Sequence, residues 1–185
     1  YRAAAGKTTN FYLRQGTNEK RVNGQVLLER KLCRSTKDGL TCDVTNPSAA
    51  QKFTAEHEMD QRYYVSCGDG TYWKFVKSEG KDDRGVIKCE PKKPRSWCDQ
   101  AKGKDEQECH SYLFNVQTRP DDNNRVSIKE YSYKGSGEGA DEMWACDIDV
   151  ATSRVVCKRG NSETGVAAGF LLHPEDGGCF PNCGP

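Results

Sequence analysis

Ten cysteines carry most of the chemical potential of this chain, and three histidines are the only imidazoles that could work beside them. The cysteines are Cys33, Cys42, Cys67, Cys89, Cys98, Cys109, Cys146, Cys157, Cys179 and Cys183. Their number is even, they are spread along the chain, and no tight Cys-x-x-Cys pair occurs, which favours disulfides over zinc. Cys179 and Cys183 have only His173 near them in sequence, a poor start for a tetrahedral metal site. Five intrachain bridges are therefore expected, each contributing about 2–4 kcal/mol.

Other chemistry finds weaker footing. A hydrolytic triad needs a nucleophile held against a base, and His57, His110 and His173 are scattered. Gly135-Ser136-Gly137-Glu138-Gly139 imitates a nucleophile elbow but lacks the strand before it and the helix after it, so it reads as a loop. Carboxylate pairs recur at Asp82-Asp83, Asp105-Glu106, Asp121-Asp122 and Asp141-Glu142. Asp147 and Asp149 alternate with a core face. Turns and solvated strand faces account for all of them more simply than an acid/base pair across a glycan cleft. Asp121-Asp-Asn-Asn124 lacks the glycine and the terminal bidentate Glu of a calcium loop. No catalytic, cofactor-binding or metal-binding residue is expected, and no cofactor.

The elements that would hold the cysteines in place read mainly as strands. Trp144, Cys146, Ile148 and Val150 fall on alternate positions, and Val155 and Cys157 resume that period after a short break. Folded as a hairpin turning near Ala151-Thr152, this stretch puts Cys146 and Cys157 opposite each other. Asp38-Gly39 turns a second hairpin between Cys33 and Cys42. Gly68-Asp-Gly70 turns a third, with Trp73 and Phe75 on one face of the return strand and Cys89 on the strand after it. Gln25 to Cys33 reads as one strand. Asn46-Pro47 opens the best helix signal, a cap followed by proline at the first helical position. Ala49, Ala50, Phe53 and His57 then recur at helical spacing, so the helix is expected to run to just before Arg62.

Breaks at Pro91–Arg95 and Gln100–Glu108 suggest a domain boundary within 91–110. The expected division is a disulfide-stapled α+β domain over 1–98 and a β-sandwich over 99–185. In the second part Tyr112, Phe114 and Val116 share a face. Val126 and Ile128 share another, with a bulge near Lys129-Glu130. The tail from Gly177 has no periodicity, and its two cysteines are expected to tie it to Cys146 and Cys157 or their neighbours. Connectivity is otherwise open.

Disulfide usage places the chain in an oxidising, extracellular compartment. A chain starting at Tyr1 without a leader implies that a signal peptide and a pro-segment are already removed. The longest apolar run, Val166–Leu172, falls far short of the about 18 residues a membrane helix needs. With 28 basic and 27 acidic residues the net charge is +1. That balance argues against nucleic acid, whose binding rests on many phosphate contacts.

A chain of this size resembles the dual-domain effectors that Fusarium oxysporum secretes into plant xylem, a family that includes avirulence proteins. The resemblance is carried by the Pro-led segment Asn46-Pro47-Ser48-Ala49-Ala50 and by hairpins at Cys33/Cys42 and Cys67/Cys89. It implies an α+β first domain, a β-sandwich second domain and secretion. It further implies action on a host plant protein, either an immune receptor or a virulence target. Uptake into host cells is left open, and a monomer is expected. The function so implied is non-enzymatic surface recognition; the alternative is an inhibitor of extracellular hydrolases. Loops around Asp121 and Asn124, Ser136 and Glu138, and Asn161 and Glu163 are the candidate recognition loops, because loops on a rigid scaffold bind with little ordering cost.

Overall fold

The computed structural model describes residues 8–16, 19–28, 31–59, 61–79, 84–93, 95–118, 126–130, 144–149, 152–159, 170–174 and 180–181. Among them strand dominates. The first nine strands are β1 (Thr8–Gln15), β2 (Glu19–Val22), β3 (Gln25–Leu28), β4 (Leu32–Thr36), β5 (Gly39–Val44), β6 (Phe53–Met59), β7 (Arg62–Gly68), β8 (Thr71–Lys77) and β9 (Arg84–Pro91). Two short helices follow, α1 (Arg95–Gln100) and α2 (Lys104–His110). The chain then forms β10 (Phe114–Thr118), β11 (Val126–Glu130), β12 (Trp144–Asp149), β13 (Arg154–Arg159) and β14 (Phe170–Pro174).

Turn chemistry fixes the hairpins. Asn23 and Gly24 take φ of 53° and 79° between β2 and β3, the left-handed values that Asn-Gly adopts at low cost. Gly68, Asp69 and Gly70 take φ of 86°, 55° and 74°, so β7 reverses tightly into β8. The hairpin of β12 and β13 turns where the alternation breaks, with Cys146 opposite Cys157 and Asp149 opposite Arg154.

Among the described residues all pairings are antiparallel, and those of the main sheet close on themselves, while β2 and β3 pair apart from it. From β7 the hydrogen bonds pass to β6, β1, β14, β11, β10 and back to β7. A second route joins β1 to β4, β5 and β13. Closure removes free strand edges, which are otherwise templates for aggregation. Inside lies one aromatic-rich core. Trp73 meets Phe11, Phe53 and Phe114 edge-on at centroid distances of 6.1, 5.3 and 5.6 Å. Such T-shaped contacts add to simple area burial.

Strand pairing crosses the expected division between 1–98 and 99–185. β10 pairs with β7, β13 with both β5 and β9, and β14 with β1. Phe114 packs on Trp73, and Phe75 lies 4.8 Å from Trp144. The buried cluster draws on both sides of that line. Small halves bury proportionally little surface; here the strands after residue 99 cover the core face of those before it.

Four local expectations are corrected. The helix from Asn46 stops after one 3-10 turn, Pro47–Ala49. Asn46 does cap it, accepting from the Ser48 N–H at 3.0 Å, yet nothing propagates the turn. Phe53, Ala55 and His57 are each buried on β6, so the period of two overrides the apparent helical spacing. Secondly, helix forms instead at α1 and α2, inside the stretch that read as a break. Gly103, at φ 66°, separates the two, and Cys98–Cys109 joins them. Thirdly, the bulge near Lys129-Glu130 is missing: β11 keeps register with β12 through Glu130 opposite Trp144. Register shifts occur instead between Leu32 and Arg34, between His57 and Met59, and between Ser66 and Gly68. The strand over Gln25–Cys33 is two strands, β3 and β4.

Candidate recognition surface

Four disulfides are formed among the described residues. Cys33–Cys42 clamps β4 to β5, and Cys146–Cys157 clamps β12 to β13, with Cα–Cα distances of 3.7 and 3.8 Å across directly neighbouring strands. Cys67–Cys89 reaches from β7 to β9 with a Cα–Cα distance of 6.2 Å, so the three strands β7–β8–β9 move as a unit. Because Cys146 and Cys157 bond to each other, the tail is not tied to either. Cys179 and Cys183 lie outside the described residues. What anchors the tail there is Phe180, buried against Phe11 at 4.8 Å and Tyr63 at 4.6 Å. The Tyr63 hydroxyl donates to the Pro181 carbonyl at 2.9 Å.

The recognition loops expected from sequence, with Asp121, Asn124, Ser136, Glu138, Asn161 and Glu163, all lie outside the described residues. Of the histidines, His57 is buried on β6 and not on a helix, and His110 ends α2. Burial lowers the His110 pKa, and nearby Arg62 adds to the effect against Glu106. His173 is on β14, opposite Tyr12. The three therefore occupy three different elements. Asp105 and Glu106 begin α2, and Asp147 and Asp149 point outward, half-exposed, from β12. No group of three or more His, Cys, Asp or Glu side chains suited to a metal is found among the described residues.

The described surface has one well-built face, the outside of β6 to β9. Alternation sends Tyr63, Val65, Trp73, Phe75 and Ile87 inward, and so turns Glu56, Tyr64, Tyr72 and Glu90 outward. The register sets Glu56 opposite Tyr64, and Tyr72 between Ser66 and Glu90. The Tyr72 hydroxyl donates to Glu56 Oε1 at 3.1 Å. Burial, then that bond to a carboxylate, pushes the Tyr72 pKa up to about 12. Lys92 Nζ lies over both rings, 4.3 Å from the Tyr64 centroid and 5.3 Å from that of Tyr72.

The same pairing of lysine with aromatic ring recurs beside it. Lys74 Nζ is 5.4 Å from the Tyr112 ring and 3.7 Å from Glu108. Lys93 Nζ is 5.5 Å from the Trp97 ring. Tyr112 is held by a bond from its hydroxyl to the Pro91 carbonyl, 2.6 Å. Cation–π contacts at half-exposed rings such as Tyr64, Tyr72 and Trp97 are worth about 0.5–1 kcal/mol each, so they favour one orientation of those rings, while Tyr112 is buried. The chemistry such a face supports is contact: flat rings, fixed ammonium groups and carboxylates at set spacing. The pairing of lysine with ring is not local in sequence, because Lys92 lies 28 and 20 positions from Tyr64 and Tyr72. The signal was present in Tyr72 and Lys74 alternating with buried Trp73 and Phe75.

One polar group is unlike the rest. Glu130, at the end of β11, is 4% exposed, and its Oε2 has no hydrogen-bond partner among the described residues. Burial pushes its pKa up to about 8, although Lys77 nearby works in the opposite direction.

Compared with models of protein families and with curated proteins, the chain finds no match in either. No helix among the described residues is long and apolar enough to cross a membrane.

Proposed function

We propose that this is a secreted effector that works on a host plant by protein-surface recognition, without catalysis, and is detected by plant immune receptors. The observation that carries the reading is the rigid outer face of β6–β9. Cys67–Cys89 and a shared core fix its strands, lysine-capped Tyr64 and Tyr72 line it, and Lys93 pairs with the half-exposed Trp97 of α1. Aromatic residues in fixed orientation give contact area at low entropic cost. Four bridges support an oxidising, extracellular setting.

The test is capture of partners from plant xylem fluid on oxidised protein, with a Tyr64→Ala/Tyr72→Ala variant as control. A host protein retained by the parent and lost from the folded variant is the expected result. Equal retention on both would remove the face from consideration. Dose-dependent inhibition of a host protease or glycosidase in the same fluid would favour the hydrolase-inhibitor alternative. Turnover of a peptide or glycan substrate by the purified protein would overturn the non-enzymatic reading.

A further inference from the structure

The four bridges sit in unequal surroundings. Cys33, Cys42, Cys146 and Cys157 belong to the buried core cluster, each at 2% exposure or less, and Cys67 and Cys89 pack against it. Cys98 and Cys109 have no part in that cluster. Cys98 is half-exposed on α1, and Cys109 is 5% exposed on α2. Three bridges thus lock strands that backbone pairing already holds. The fourth joins two short helices that no sheet register connects.

α1 depends on this bridge. Its six residues are well below the about 12–15 that an isolated helix needs in water. From Ser96 to Gln100 no side chain is buried. Among the described side chains of α1, two make a specific interaction: Cys98 in its bridge, and Trp97 with Lys93 over its ring.

α2 buries only Cys109, yet it is anchored at its far end. The Ser111 carbonyl accepts from the Phe75 N–H at 2.8 Å, Tyr112 and Leu113 are buried, and Glu108 lies 3.7 Å from Lys74 Nζ. Upstream of α1, the bond from the Tyr112 hydroxyl to the Pro91 carbonyl fixes the end of β9. Between these fixed points the chain can move once the bridge is open. Gly103, at φ 66°, supplies a pivot with no Cβ to restrict it.

We infer that Cys98–Cys109 is a thiol-sensitive latch: a low-molecular-weight thiol opens it first, and α1 swings free while the ring of strands stays closed. The reductant's thiolate attacks the Sγ of Cys98, the half-exposed partner. The bond to Cys109 breaks, and Cys109 leaves as thiolate. A second reductant thiolate attacks the mixed disulfide at its non-protein sulfur, releases Cys98 and forms the reductant's own disulfide. Two electrons pass to the protein, and each cysteine takes one of the two protons that the reductant thiols give up.

Exposed disulfides are the labile ones, and core burial protects the other three. Opening the latch has a consequence at the surface, because Lys92 and Lys93 directly precede the released segment. The Lys93–Trp97 pair is lost, and the backbone from which Lys92 reaches Tyr64 and Tyr72 is loosened. The chain thus presents one surface in an oxidising medium and another in a reducing one. The latch stands whether or not the Tyr64/Tyr72 face binds a host protein.

The experiment exposes the oxidised protein to graded ratios of reduced to oxidised glutathione, quenches with iodoacetamide and maps the alkylated peptides. Cys98 and Cys109 should become alkylated at a ratio about tenfold or more below that needed for Cys33, Cys42, Cys67, Cys89, Cys146 and Cys157. At that ratio trypsin should cut after the exposed Lys102 or Lys104 about tenfold or more faster than in the oxidised protein, with the strand signal in circular dichroism unchanged. Reduction should change the tryptophan fluorescence of the parent and not that of Trp97→Phe. Cys98→Ser/Cys109→Ser should be cut at the fast rate without reductant. Earlier opening of any of the three core bridges, reduction of Cys98–Cys109 without faster cutting, or an equal fluorescence change in Trp97→Phe overturns the inference. Loss of the strand signal in the double-serine variant also overturns it, because the ring would then depend on the bridge.

Discussion

Glu130→Gln should remove a pH dependence of stability that the buried carboxyl imposes. An unfolded-chain glutamate ionises near 4.5, while burial holds the folded group protonated up to about 8. Between those values the folded state binds a proton that the unfolded state has released, so rising pH favours unfolding. Below 4.5 both states are protonated and the penalty vanishes; above about 8 both are ionised and it is complete. At about 1.4 kcal/mol per pH unit the loss is about 2 kcal/mol by pH 6 and approaches about 5 kcal/mol by pH 8.5. The side chain is only 4% exposed, so solvent screening does little to reduce this. Glutamine keeps the shape and carries no charge. Urea unfolding of both proteins at intervals from pH 4.5 to 8.5 should show the parent losing stability relative to the variant by an amount of that order. Parallel profiles would refute the reasoning, since the carboxyl would then be ionised and satisfied in the folded state.

Gly85→Ala should cost about 1–3 kcal/mol in denaturant unfolding, because an added Cβ would strike the Phe75 ring and come within 2.8 Å of the Val76 carbonyl oxygen. Phe180→Ala should cost about 3–5 kcal/mol, removing the ring between Phe11 and Tyr63; a change under 1 kcal/mol would mean that the tail does not seal the core. Limited proteolysis at exposed Lys102 or Lys104, followed by reduction, should leave both fragments co-eluting on native size exclusion, since β10–β7, β13–β9 and β14–β1 pairings span the cut. Separation of the fragments would favour two independent modules. Under non-reducing conditions, peptide mapping should join Cys33 to Cys42, Cys67 to Cys89, Cys98 to Cys109 and Cys146 to Cys157, and a different partner for any of them would contradict the sheet register or the pairing of α1 with α2.

Legibility in the sequence followed the range of the interaction. The Cys146/Cys157 hairpin was readable because its alternation and its turn are both local, and the same holds for Gly68-Asp-Gly70 and for Trp73 with Phe75. The helix misassigned at Asn46 had a correct cap. Whether the chain past Ala50 coils or extends was decided by β1 and β7 on either side of β6, and neither partner is visible from Phe53, Ala55 and His57 alone. Helix in 91–110 was missed because Lys and Glu around Gly103 look like linker until Cys98 and Cys109 are brought together. Glu130 was invisible for a similar reason: its burial depends on Phe114 and Trp144 as strand partners, and sequence order gives neither.

The bond from the Tyr63 hydroxyl to the Pro181 carbonyl spans 118 residues, whereas the four bridges span 9, 22, 11 and 11. That contrast sets an order of assembly. Each staple needs only its own hairpin or helix pair, events of microseconds once the segment is free, so oxidation can follow the chain as it emerges. The ring of strands cannot close until β14 reaches β1 and Phe180 enters beside Phe11. Contacts of such separation govern folding rate. Until they form, β1 presents an open edge to any neighbouring chain. Until β14 and Phe180 are in place the protein is therefore a string of locked hairpins, and that interval is when it is most prone to aggregate.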